Sequence, residues 1–302
     1  MLIQVSTAFT QKIVFNKVLP SEGQKFLGIA SIAQDKQGYM WIGTQRGLFR
    51  YDGYQMISYQ DDPLNPSNHL LTSVCPDSSG IIWIGTWGTG LVRFDPSDKT
   101  FKHFRYNAKD GASLSNDTVT EILQDHRGIL WIGTHGGLNR LDSKAGNFIH
   151  YFHRANDPAS LSSNQVRAVY EDHQGTLWIG TGSPYPGEGG PEDGGLNRLD
   201  KKTGKFFRYL HHPNDPHSLI NNKVMALFED SKGNFWVGTA GDGLHTMDRA
   251  KGTFERHRYD PSHPEALSRP PLSKQVTWDH IYFITEDAAG AIWIGSAYSG
   301  LN

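Results

Sequence analysis

Aromatic and basic side chains stand at irregular places in an otherwise regular chain of 302 residues: Trp87, Tyr185 and Tyr298, with Arg46 and His135. Flat aromatic faces pack against the C–H faces of sugar rings, and guanidinium and imidazole groups donate to hydroxyls, so this set points to carbohydrate chemistry. A carboxylated sugar would also suit Arg46 or Arg167, because a planar guanidinium offers two parallel N–H groups to a carboxylate. Arg167 and Tyr282 each lie five residues before a recurring aspartate, in a column that reads Ala30, Thr72, Thr120, Arg167, Met225 and Tyr282. Such variety marks a position that lines a channel. The candidate ligand-binding residues are therefore Arg46, Trp87, His135, Arg167, Tyr185, Tyr282 and Tyr298.

Catalysis asks for more, a base held beside an activating group. His135 with Tyr185 and Glu188 is the one set the sequence offers to a lyase or hydrolase acting on a polysaccharide, and nothing in the spacing brings the three together. No catalytic residue is assigned. The 14 histidines fall mostly in connecting segments, with His211-His212 the one adjacent pair, and no fixed spacing to acids makes a metal site. The recurring aspartate gives one carboxylate per turn, where calcium wants about six to eight oxygens. A single cysteine, Cys75, lies between Val74 and Pro76 and reads as a small core residue; it excludes an internal disulfide and a thiolate metal cage. Neither a metal nor a cofactor is expected. With 29 basic and 31 acidic residues interspersed and a net charge of −2, no basic stripe offers itself to nucleic acid or to anionic lipid. No run approaches the roughly 20 apolar residues that cross a bilayer, so no membrane contact is expected within this chain. Asn116-Asp117-Thr118 matches a glycosylation sequon by chance composition.

The elements that must carry the candidate residues come from a ten-residue phrase, Asp-x-x-Gly-x-x-Trp-Ile/Val-Gly-Thr/Ser. It recurs six times, beginning at Asp35, Asp77, Asp125, Asp172, Asp230 and Asp287. Its tryptophans are Trp41, Trp83, Trp131, Trp178, Trp236 and Trp293, separated by 42, 48, 47, 58 and 57 residues, which is the size of a propeller blade. Each repeat divides into four strand-sized pieces; in the third these are 119–124, 129–134, 138–141 and 147–152. Asp-x-x-Gly closes the first hairpin, since Asp bonds the backbone two residues on and Gly accepts a positive φ. Three residues before each Asp stands an aliphatic residue, Ile32, Val74, Ile122, Val169, Leu227 or Ile284, as a strand buried on both faces requires. The spacing therefore predicts an all-β propeller of four-stranded antiparallel blades, with the six tryptophans as structural contacts between blades. At ~200 Å² and ~25 cal/mol/Å², each indole contributes at most about 5 kcal/mol. The glycine after Trp-Ile admits a neighbouring side chain close to the strand.

The phrase, followed by Gly137-Leu138-Asn139-Arg140-Leu141-Asp142 and by Gly195-Leu196-Asn197-Arg198-Leu199-Asp200, resembles the two-component regulator propeller repeats. The connecting segments Asn156-Asp157-Pro158-Ala159-Ser160-Leu161 and Asn214-Asp215-Pro216-His217-Ser218-Leu219 carry the same likeness. The resemblance implies the extracytoplasmic sensor region of a hybrid histidine kinase, in which two seven-bladed propellers and a β-sandwich precede a membrane helix and a cytoplasmic kinase. Many such regions are thought to detect glycan fragments. This chain departs from that pattern in having six repeats and no kinase sequence, which leaves the sensing half as its expected role.

Residues 1–11 read as a leader or signal remnant and 12–302 as the propeller, its final blade incomplete. Closure has two readings. A strand at Lys12–Val18 completes the last of six blades, or the six repeats are part of a larger, seven-bladed ring, which the short last strand favours. Strand alternation puts the second-to-third and fourth-to-first connections on one face. That face is the most irregular, with the 182–194 insertion in the fourth repeat. The expectation is a non-catalytic, periplasmic sensor of a small molecule or oligosaccharide. A polysaccharide lyase or hydrolase and a protein-interaction platform, with a homodimer as one form of it, stay open as alternatives.

Overall fold

A computed structural model describes residues 28–59, 70–142, 145–185, 190, 193–241, 243–258, 260, 262, 280–297 and 300–301. The leader at 1–11 and the Lys12–Val18 segment lie outside the described residues. The described chain is all β. Each repeat folds into one antiparallel sheet in chain order, five of them four-stranded and the sixth with three described strands, ending at Gly300–Leu301. The third runs through Val119–Gln124, Leu130–Thr134, Gly137–Asp142 and Asn147–Tyr151, within a residue or two of the sequence division.

The phrase makes its hairpin in the expected way. In blade 3, Asp125 N–H donates to Ile129 O at 2.9 Å and Gly128 N–H to Asp125 O at 2.8 Å, with Gly128 at φ 79°. The aspartate does more than turn the chain. Its Oδ2 accepts the indole N–H six residues on in every blade, at 2.7 Å for Asp35 and Trp41 and 3.0 Å for Asp125 and Trp131. A buried indole N–H needs such an acceptor, which is why the two residues recur together.

Blades pack in chain order, first strand beside first strand. Trp131 of blade 3 packs in one cluster with Leu177, Ile179 and Phe206 of blade 4, and Trp178 packs likewise with Phe235, Val237 and Phe254 of blade 5. The tryptophans of blades 1 to 5 thus face the following blade, and the first-strand aliphatics of blades 2 to 6 face the preceding one. The glycine two positions after the tryptophan sits beneath the next blade's first strand: a Cβ on Gly133 would lie 2.6 Å from Val166 Cγ1, and one on Gly238 2.5 Å from Ile281 Cγ2. The ends of the series differ from its middle. Ile32 is 55% exposed where Val74 and Ile122 are 5% exposed, and Trp293 is half-buried where Trp131 is 1% exposed.

Candidate functional site

The residue after the phrase is fixed by one backbone bond that prolongs the first hairpin: Trp87 N–H donates to Leu70 O at 2.9 Å and His135 N–H to Thr118 O at 3.1 Å. Trp87 and His135 therefore occupy equivalent places on adjoining blades, and their rings meet edge to face, 5.0 Å apart at 82°. Trp87 keeps 43% of its surface exposed. In blade 4 the same place is Gly182, where the insertion begins.

Every first strand carries a β-bulge, and the extra residue is the variable column. The register jumps across Ala30, Thr72, Thr120, Arg167, Met225 and Tyr282. A bulge re-aims the residue it leaves out of the ladder. Thr72 and Thr120 turn theirs to the next blade, Oγ1 donating to Val119 O at 2.7 Å and to Val166 O at 2.8 Å. Arg167 instead reaches the insertion: Nη2 donates to Ser183 Oγ at 2.7 Å, and Cζ stands 5.4 Å from the centroid of the Tyr185 ring. Tyr185 N–H donates to the same hydroxyl at 3.2 Å, so one serine orders both residues. Tyr185 and Tyr282 are each 43% exposed. Tyr282 stands edge-on to His280, ring centroids 6.1 Å apart, and Gly241 N–H donates to His280 Nδ1 at 3.3 Å.

The structure thus brings together Trp87 with His135, and Arg167 with Tyr185, on three consecutive blades of one face. Tyr282 shares that face from blade 6, and Arg46 is exposed in the turn of blade 1, its N–H bonded to Thr44 Oγ1 at 3.0 Å. Tyr298 lies outside the described residues, as does Glu188 of the His135, Tyr185 and Glu188 set. His135 and Tyr185 themselves stand against different partners.

Sequence reasoning missed Lys223 and Ser183. Lys223 is 8% exposed, and its ammonium donates to Gly190 O and Asp193 O of the insertion, while Ser163 Oγ donates to Asp193 Oδ2 at 3.1 Å. The insertion is therefore tied to the segments that lead into the first strands of blades 4 and 5. No local pattern marks a lysine that will cap carbonyls some 30 residues back in the chain.

The polar fourth-to-first connections, expected to offer binding groups, hold their own chain. Arg208 donates to Asp157 O, Ser160 O and Leu161 O, Arg256 does the same with Asp215 O, Ser218 O and Leu219 O, and His153 and His211 bond Leu161 O and Leu219 O. Behind them, Asn139 and Asn197 on third strands accept the N–H of Ser115 and Ser162, at 3.0 and 2.9 Å, and both are fully buried. His245 takes that place in blade 5, accepting Ile220 N–H at Nε2 and meeting Val237 O at Nδ1, and burial lowers its pKa to about 4. Glu121, beside the blade 3 bulge, bonds Ser73 Oγ at 3.0 Å and Ile122 N–H at 3.1 Å; burial outweighs those bonds and raises its pKa to about 7.

The opposite face has an open groove of about 390 Å³ beside His126, Glu171, Asp172 and His173. Its polar groups clasp blades together. Glu171 accepts His126 N–H and Lys201 Nζ, at 2.7 and 2.6 Å, and Lys201 also pairs with Asp125 at 3.0 Å; Glu229 repeats this with His173 N–H and Arg249. Among the described residues no cluster of three or more His, Cys, Asp or Glu is placed to hold a metal ion.

Five segments, residues 24–46, 66–88, 113–136, 160–183 and 218–241, match the profile described as two component regulator propeller. A 56-residue stretch is 34% identical to histidine kinase P4 of Formosa agariphila, covering 18% of this chain and 4% of that protein. The extracellular domain of the hybrid two component system BT3049 of B. thetaiotaomicron superposes with a TM-score of 0.63 at 26% identity, over 90% of this chain and 39% of that one. The chain therefore spans well under half the length of either of these two proteins. Virginiamycin B lyase of Staphylococcus aureus superposes with a TM-score of 0.60 at 14% identity, over 88% of this chain and 77% of that one, a likeness of fold alone. The bond that recurs from Asp to Trp, the six radial sheets and the matched segments agree: five of the six blades are built on two component regulator propeller repeats.

Proposed function

We propose that this propeller is a non-catalytic, extracytoplasmic sensing module that binds an oligosaccharide on the face carrying Trp87, His135, Arg167 and Tyr185. One observation carries the reading. On this face the regular repeat gives way to half-exposed aromatics and an arginine on three adjoining blades, with an insertion pinned in place by Lys223. Rigid blades that present varied side chains from their connections suit recognition. The likeness to extracellular domains of hybrid two component systems supports the location and the sensing role.

Sugar rings stack on Trp87 and Tyr185, and Arg167 and His135 donate to their oxygens. Thermal melting of the purified chain across a broad oligosaccharide panel tests this: a ligand that raises the melting temperature does so less with Trp87→Ala and with Tyr185→Ala. A panel without any shift sinks the reading. A lyase would instead degrade one of those polysaccharides, and His135→Ala or Tyr185→Phe would abolish the turnover.

A further inference from the structure

We infer that the Gln165 carboxamide is a ligand-binding group of the sensing face and that its oxygen receives a free hydroxyl of the sugar; this rests on the function proposed above. Gln165 stands immediately before the first strand of blade 4, which begins at Val166. That segment lies along the second-to-third turn of blade 3, since Gly137 N–H donates to Asn164 O at 2.7 Å and a Cβ on Gly133 would meet Val166. Gln165 O in turn accepts Gly182 N–H at 2.8 Å, where the insertion begins. The residue therefore sits between the turn that carries His135 and the loop that carries Tyr185.

The same place in later blades shows what a side chain does there. Lys223, before the first strand of blade 5, reaches back to Gly190 O and Asp193 O in the connection of blade 4, and His280, before that of blade 6, accepts Gly241 N–H in the turn of blade 5. Gln165 has the length to do likewise, but the turn of blade 3 has no main-chain donor left for it. His135 N–H is bonded to Thr118 O, Gly136 N–H to Thr134 Oγ1 and Gly137 N–H to Asn164 O. Gln165 Oε1 is buried with no hydrogen-bond partner. A buried acceptor without a donor raises the free energy of the empty site, and a ligand that supplies the donor recovers that cost. The residue as a whole is half-buried and its terminal amide torsion is soft, so a turn about it brings the oxygen to the open face. A sugar ring stacked on the half-exposed aromatics of this face offers hydroxyls at its edge. A methyl ether, a sulfate ester or a missing oxygen at the bonded position has no proton to donate, so Gln165 selects a sugar residue that is unsubstituted there.

The experiment is titration calorimetry of the full chain against gluco-, manno-, xylo- and galacto-oligosaccharides and uronate fragments, and then against the monodeoxy and mono-O-methyl analogues of the tightest binder. The expected result is one position at which both changes weaken binding about tenfold or more, as they do at a site that bonds a hydroxyl. Gln165→Met, of similar length without the acceptor, weakens the parent sugar by the same factor and binds that deoxy analogue no worse than the native chain does. Gln165→Glu keeps an acceptor oxygen and binds the parent sugar more tightly than Gln165→Met. The ligand-free melting temperature of Gln165→Met stays level or rises, since no bond is lost; a lower one would assign the residue to holding the loop and overturn the inference. Parent binding unchanged in Gln165→Met, or analogues all bound as well as the parent, overturns it while sparing the sensing face. Should Gln165→Met not fold, the analogue series on the native chain and on Gln165→Glu decides by the same criterion. Binding of no oligosaccharide overturns both.

Discussion

Asp172 serves four donors at once: Gln174 N–H and Thr176 N–H at Oδ1, and Trp178 Nε1 and Arg249 Nη1 at Oδ2. Removing a buried acceptor strands every donor it held, and removing one partner of a buried ion pair costs about 3–5 kcal/mol. Asp172→Ala should lose about that much in urea unfolding, whereas Trp178→Phe, which deletes one donor and some apolar area, should lose less. Two separate titratable groups, His245 in blade 5 and Glu121 in blade 3, act through pH. His245 is neutral in the fold, with a pKa of about 4 against 6.5 in an unfolded chain. The unfolded state then binds the extra proton between those values, so stability is whole above pH 6.5 and falls by about 3 kcal/mol as pH drops through 4. Glu121 works in the opposite sense, because its pKa of about 7 exceeds the ordinary 4.5 and the folded state holds the extra proton. Its contribution grows as pH falls from 7 to 4.5. The two offset each other between pH 4.5 and 6.5. His245→Asn, which installs the residue found at that place in blades 3 and 4, should therefore expose a stability that rises as pH falls, and Glu121→Gln should expose the reverse. Parallel slopes in the two variants would refute the pairing.

At the scale of the strand and the turn, the glycine after Trp-Ile sets how near two blades come. Gly133→Ala places a methyl group 2.6 Å from Val166 Cγ1, deep inside contact distance, and overpacking of this kind costs about 1–3 kcal/mol. Combining it with Val166→Ala should recover part of that loss; a purely additive double variant would mean that the two do not touch. Elements of this kind were legible because they repeat. Six copies of Asp-x-x-Gly-x-x-Trp-Ile/Val-Gly make turn, indole and close approach visible without coordinates. What repetition hides is the partner across space. Arg208 and Arg256 read as ordinary surface arginines of a fourth strand, yet they grip a connection nearly 50 residues earlier for Arg208 and nearly 40 for Arg256. The candidate site was half legible for the same reason. A break in the repeat marked Trp87, His135, Arg167 and Tyr185 one by one, but only the folded chain shows Arg167 reaching Ser183 of the insertion from the bulge at which Thr120 bonds Val166 O of the next blade. Lys223 carried no signal at all, since its two acceptors are main-chain carbonyls.

Over the whole molecule, each of blades 2 to 6 is sealed by the tryptophan of the blade before it and by its own aliphatic residue turned toward that tryptophan, so stability accumulates interface by interface. Ile122 lies inside such an interface, 5% exposed, and Ile122→Ala should cost about 2–4 kcal/mol from lost burial and the cavity left behind. Ile32 holds the same place in blade 1 but is 55% exposed, with no described sheet in front of it. Ile32→Ala should then cost well under 1 kcal/mol, as surface changes do. The two variants differ only in which blade they touch, so denaturant unfolding of the 302-residue chain compares an internal face with a terminal one directly. A loss at Ile32 equal to that at Ile122 would mean that something covers the blade 1 face in solution. Dilution would then tell what: a cost that depends on protein concentration comes from a second chain, and one that does not comes from this chain itself.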